Sequence, residues 1–87
     1  MVILFAIIVA VSAGCVEYGI DYNGYDIDSV TNVQSWQSCA NQCKNHKTCQ
    51  YWTWNLGNHQ CWLKSSDDGR KYGQATISGK HDCTTEC

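Results

Sequence analysis

The 87-residue chain has no proline, no internal repeat and no low-complexity linker, so nothing in it marks a boundary between two domains. It is also poor in charge. Eight acidic residues stand against six basic ones, giving a formal net charge of −2. A chain without a basic field is a poor partner for nucleic acid or heparin-like polyanions, which are held by Lys and Arg. No apolar run reaches the roughly 20 residues that a membrane-spanning helix needs. There is no Asn-x-Ser/Thr sequon, so no N-glycosylation is expected. Nor does any stretch set a hydroxyl or thiol nucleophile beside a base and an orienting acid. A non-catalytic protein without a cofactor is the expectation.

The longest apolar stretch, residues 1–13 (MVILFAIIVAVSA), is too short to span a bilayer and fits the core of a secretory signal peptide. Val11 and Ala13 stand at the −3 and −1 positions of a small-residue cleavage site. The expected mature chain is 14–87, one domain with a short polar tail at 84–87. Ser12-Ala13-Gly14-Cys15 faintly resembles a lipoprotein cleavage box, but Ser12 replaces the large aliphatic residue that such a box wants.

What is abundant is cysteine and aromatic side chain. All seven cysteines fall in residues 14–87, as do the four tryptophans and five tyrosines. That cysteine density marks a disulfide scaffold in an oxidising compartment, and the localisation expected is secreted, extracellular. A chain this small gains only about 3–5 kcal/mol from its core, so staples at about 2–4 kcal/mol each decide whether it folds.

Along the chain, Tyr18, Ile20 and Tyr22 alternate with polar residues, and Tyr25 and Ile27 resume the alternation after Asn23-Gly24. Asn-Gly between two such runs predicts a hairpin with a type I′ turn, joining strands over Val16–Tyr22 and Tyr25–Asp28. Ser35 is a good N-cap, and Trp36, Cys39, Ala40 and Cys43 follow at helical spacing as one apolar stripe. Further strands are expected at Cys49–Asn55, Cys61–Lys64 and Ala75–Ile77, with Ser65–Gly73 as a polar loop. The order ββ-α-ββ-β implies a small α+β domain: an antiparallel β-sheet with one disulfide-bonded α-helix on its face.

Cys15, Asn23-Gly-Tyr-Asp-Ile27, Cys39-x3-Cys43-x5-Cys49, Trp52-Thr-Trp54, Cys61-Trp-Leu-Lys64 and Ile77-Ser-Gly79-x3-Cys83 together resemble a PAN/apple domain, over essentially all of residues 14–87. The family occurs in plasma serine proteases, microneme adhesins and oomycete cellulose-binding lectins, as a non-catalytic appendage or adhesion module. The resemblance implies the pairs Cys15–Cys83, Cys39–Cys61 and Cys43–Cys49; six cysteines alone would allow 15 pairings. It also implies that Trp52 and Trp54 belong to the core. Cys87 has no counterpart, and an odd cysteine in an exported protein suggests intermolecular pairing, here a disulfide-linked homodimer.

The expected partner is an extracellular carbohydrate; a protein ligand, or a role as a small secreted effector or protease inhibitor, are the alternatives. If Cys61 faces the helix, alternation turns Trp62 and Lys64 to the opposite face of the sheet. Trp62 and Lys64, with Asp67, Asp68 and Tyr72 from the following loop, form the candidate sugar site: a ring to stack on a pyranose and polar groups for its hydroxyls. Cys43, His46, Cys49, His59 and Cys61 superficially suggest zinc, but they lack the paired Cys-x2-4-Cys spacing, and the histidines are expected on exposed loops and a helix end. The Asp21–Asp28 segment fails as an EF-hand loop at Tyr25, Asp26 and Asn32. No metal is expected.

Overall fold

The computed structural model describes residues 15–84; the expected signal peptide and Cys87 lie outside the described residues. Five strands, β1 (Val16–Tyr22), β2 (Asp26–Val30), β3 (Tyr51–Asn55), β4 (Cys61–Lys64) and β5 (Arg70–Lys80), and one helix, α1 (Trp36–Lys44), follow the expected order. The strands form one antiparallel sheet in the order β1-β5-β3-β4-β2. The Ser35 hydroxyl accepts the Ser38 amide at 3.2 Å, which caps α1 as its sequence suggests.

The helix is nine residues long, too short to persist alone, and is held by what it covers. Its stripe of Trp36, Cys39, Ala40 and Cys43 is buried against Trp52, Trp54, Cys61, Leu63 and Ile77. The Trp36 and Trp52 rings lie parallel with centroids 5.8 Å apart. Two disulfides leave the same helix face, Cys39–Cys61 into β4 and Cys43–Cys49 to the chain entering β3. The third, Cys15–Cys83, joins the start of β1 to the segment after β5. Trp52 and Trp54 are both core, as the resemblance implies.

The expected hairpin does not form. β1 pairs with β5 at one edge of the sheet, and β2 pairs with β4 at the other. A type I′ turn needs positive φ at Asn23 and Gly24. The chain instead places it one residue later, at Gly24 (φ 81°) and Tyr25 (φ 57°), so it crosses the sheet rather than reversing. The crossing is short because the sheet curls. Between Tyr18↔Ile77 and Ile20↔Tyr72 the register slips, with Gly19 (φ 75°) on β1 and residues 73–76 bulging from β5. Bulges bend a strand and increase its twist. The ends of β1 and β5 therefore fold over the face opposite the helix.

On that face the crossing strap sits on a small polar core. The Tyr22 amide donates to Thr53 Oγ1 (3.2 Å), Thr53 Oγ1 and Ser78 Oγ are 2.7 Å apart, and Ser78 Oγ donates to the Ile20 carbonyl (2.6 Å). Lys64 then donates to the Gly24 carbonyl (3.0 Å) and pairs with Asp26. Burying hydroxyls and an ammonium is costly unless each finds partners. Among the described residues no buried side-chain nitrogen or oxygen lacks one. β5 extends well beyond Ala75–Ile77, so Arg70 to Gly73 are strand rather than loop.

Candidate binding cleft

The curl leaves an open cleft of about 480 Å³ beside the strap, lined by Cys15, Glu17, Tyr22, Tyr51, Asp67, Arg70 and Lys80. Strand alternation puts Glu17 and Lys80 on the face opposite the helix, with Tyr51 beside Lys80 in the β3–β5 register. The fold-over of β1 and β5 then brings Tyr22 and Arg70, which face each other in register, down onto Glu17. Asp67 arrives on the loop before β5. That loop can press against the strap because residue 69 is glycine: a Cβ there would lie 1.8 Å from the Asn23 carbonyl oxygen. The Asn23 amide donates to the Gly69 carbonyl at 3.1 Å.

Glu17 organises the cleft. Arg70 Nε donates to both of its carboxylate oxygens at 3.1 Å, Arg70 Nη2 also donates to Oε2, and the Tyr22 hydroxyl donates to Oε1 at 2.6 Å. The Tyr22 ring meets Tyr51 edge to face, with centroids 5.7 Å apart. The Arg70 guanidinium holds the Glu17 carboxyl below its ordinary pKa of 4.5, while the same pair holds Arg70 above its own. The depressed carboxyl stabilises the fold at neutral pH, and that contribution is lost as pH falls below the ordinary value. Tyr22 is displaced upward by burial and by its bond to the Glu17 carboxylate.

A titration checks this arrangement. The difference in phenolate absorbance between the wild-type protein and Tyr22→Phe should rise well above the ordinary tyrosine pKa of 10. A difference curve centred near 10 would mean that Tyr22 neither is buried nor meets Glu17. The neutral phenol's contribution to stability is present below pH 10 and is lost above it.

Glu17, Arg70 and the Tyr22 hydroxyl are occupied with one another. Among the described residues, Lys80 and Asp67 are in no ion pair and the Tyr51 hydroxyl has no hydrogen-bond partner. These three groups offer a cation, an anion and a phenol to a ligand, with two positive and two negative side chains balancing along the cleft.

Of the five residues singled out from sequence, only Asp67 lines this cleft. Trp62 does lie on the face opposite the helix and is 37% exposed, but away from the cleft. Lys64 is on the same face yet only 3% exposed, covered by the strap whose carbonyl and carboxylate it binds. Its burial corrects the expectation of an exposed ligand-binding ammonium. Asp68 and Tyr72 are exposed and stand outside the cleft. The histidines are each partly buried rather than exposed: His46 pairs with Asp28 at 3.5 Å, and His59 stacks on Trp54 with centroids 5.7 Å apart. Glu17, Tyr22, Tyr51, Arg70 and Lys80 were not legible as a site, because no local spacing joins them; the 53-residue separation of Glu17 and Arg70 is typical.

Among the described residues no helix is long and apolar enough to cross a membrane. Three disulfides in so short a chain fit an oxidising, extracellular setting. No curated protein matches the chain significantly. The family model for the PAN domain matches residues 20–64, just over half of the chain and most of the strap, helix and central strands. With the half-cystine pairs and the helix-on-sheet core already in place, that match makes the chain a member of the PAN domain family, whose modules are in general non-catalytic and bind protein or carbohydrate.

Proposed function

We propose that the protein is a secreted, non-catalytic adhesion module that recognises extracellular carbohydrate in the Glu17–Arg70 cleft. The observation that carries this reading is the set of unoccupied polar groups there: the Asp67 carboxylate, the Lys80 ammonium and the Tyr51 hydroxyl, around an open space of about 480 Å³. A pyranose presents vicinal hydroxyls that a carboxylate accepts as charge-assisted hydrogen bonds, and an ammonium or phenol donates to its ring and hydroxyl oxygens. Tyr51 and Tyr22 add amphipathic rings beside these groups. The side-chain charges of the cleft balance, which favours a hydroxyl-rich ligand over a polyanion. Such a site is open and shallow, so single-site affinity is weak and a multivalent surface raises it. The disulfide-linked dimer through Cys87 belongs to this proposal as the source of the second site.

A glycan and polysaccharide array with oxidised 14–87 tests it. Binding should fall about tenfold or more in Asp67→Asn and Lys80→Ala, whose side chains make no hydrogen bond or ion pair among the described residues. Trp62→Ala should bind as the wild type does. An array silent with natively disulfide-bonded protein would turn the assignment to a protein ligand. Loss in Trp62→Ala alone would move the site to the exposed tryptophan. Cys87→Ser should halve the non-reduced mass, and an unchanged mass would remove the dimer.

A further inference from the structure

The three disulfides are not equally sheltered. Cys39, Cys43 and Cys61 are fully buried and Cys49 and Cys83 are 3% exposed, whereas Cys15 is exposed and forms part of the cleft wall. Thiol–disulfide exchange requires a thiolate to reach one sulfur and the other sulfur to leave. Neighbouring cations favour the thiolate that leaves. Lys80, the cleft cation that is in no ion pair among the described residues, lines the cleft with Cys15, and the Cys83 amide donates to the Lys80 carbonyl at 2.9 Å.

We propose that the Cys15–Cys83 bond is a redox latch on the cleft: a dithiol reductant opens it ahead of the other two, and opening dissolves the binding wall while the helix-on-sheet core stays folded. A thiolate of the reductant attacks Cys15 Sγ. The new sulfur–sulfur bond forms as the Cys15–Cys83 bond breaks, and Cys83 departs as a thiolate that takes a proton from solvent. The reductant's second thiolate then attacks the reductant sulfur of the mixed disulfide and expels Cys15. The reductant ends as a disulfide and the protein gains two thiols.

The consequence follows from where the latch sits. Cys15 immediately precedes β1, an edge strand, and Glu17 is two residues further on. The bond spans 68 residues, so releasing it frees the start of β1 from the segment after β5. Glu17, paired with Ser78 in the ladder, then stands at the fraying end of an edge strand, and Arg70 and the Tyr22 hydroxyl lose the fixed position of their shared partner. The other two disulfides lie wholly within residues 39–61 and continue to hold α1 on the sheet.

The effect on binding rests on the cleft reading above; the order of opening does not. Oxidised protein, with any solvent-reactive thiol first blocked by iodoacetamide, is treated with graded dithiothreitol, quenched with N-ethylmaleimide and mapped by mass spectrometry. The first species to accumulate should carry two maleimides, on Cys15 and Cys83. In that species the Tyr22 titration should fall back toward 10, and affinity for the glycan found on the array should drop roughly tenfold. The double substitution Cys15→Ser/Cys83→Ser should reproduce both changes. Prior opening of Cys39–Cys61 or Cys43–Cys49, or loss of all three bonds together, would overturn the latch. So would a singly opened protein that keeps its raised Tyr22 titration. A protein that binds no glycan while oxidised would refute the cleft reading, and the labelling order and the Tyr22 titration would still decide the latch.

Discussion

Trp52→Ala should cost about 3–5 kcal/mol of stability, a large share of the roughly 5–15 kcal/mol a domain possesses. The indole is fully buried and stacked on Trp36, and its Nε1 donates to the Lys80 carbonyl at 2.9 Å. It lies on bare backbone: a Cβ at Gly79 would come within 2.7 Å of its Cζ2. Truncation would open a cavity between helix and sheet, leave Trp36 unsupported and remove one of the two donors to the Lys80 carbonyl, the Cys83 amide being the other. The surroundings cannot close on the space, because Cys39–Cys61 and Cys43–Cys49 fix the helix on either side of it. Urea unfolding under non-reducing conditions, followed by far-ultraviolet circular dichroism, should show a much lower midpoint. A midpoint within error of the wild type would mean that Trp52 is not the keystone of this core. Lys80 also lines the cleft, so binding should weaken in this variant even where the protein remains folded.

The helix-side half of the molecule was legible in the sequence, and the cleft side was not. Trp36, Cys39, Ala40 and Cys43 carry a 3.6-residue period, and Cys61-Trp62-Leu63 carries a two-residue one. Both periods arise from burial of a single face, and the structure buries that face. Asn23-Gly24 misled because a turn signal reports where positive φ is tolerated, not where the chain goes next. The direction was set by Tyr22, whose burial and bonds to Thr53 and Glu17 draw the end of β1 over the sheet. Alternation correctly turned Lys64 away from the helix but carries no information about a second layer arriving from 40 residues earlier. His59 shows the same limit. It adopts φ 60°, and its stacking on Trp54 and its hydrogen bonds to the Asn55 and Val33 backbones hold it there. The cleft depends on the register slip between β1 and β5, which no local pattern encodes.

Asp26→Ala should destabilise the protein by about 2–4 kcal/mol, and Lys64→Met by about 1 kcal/mol or less, although both break the same ion pair. The asymmetry comes from unequal burial: the Lys64 side chain is 4% exposed and that of Asp26 is 44% exposed. Removing Asp26 strands an ammonium beneath the strap with the Gly24 carbonyl as its remaining partner. Removing Lys64 returns a carboxylate to water, and methionine fills the slot with an apolar chain of similar length. The pair of variants also decides what Lys64 does. As a clasp, it acts through the strap that carries Tyr22, so Lys64→Met with the fold retained should bind ligand within about threefold of the wild type. Abolished binding by a folded, equally stable Lys64→Met protein would return Lys64 to the ligand site and require the strap to move aside. Equal destabilisation by the two substitutions would show that the ammonium reaches water when unpaired, and that the strap is held by its backbone and hydroxyl contacts instead.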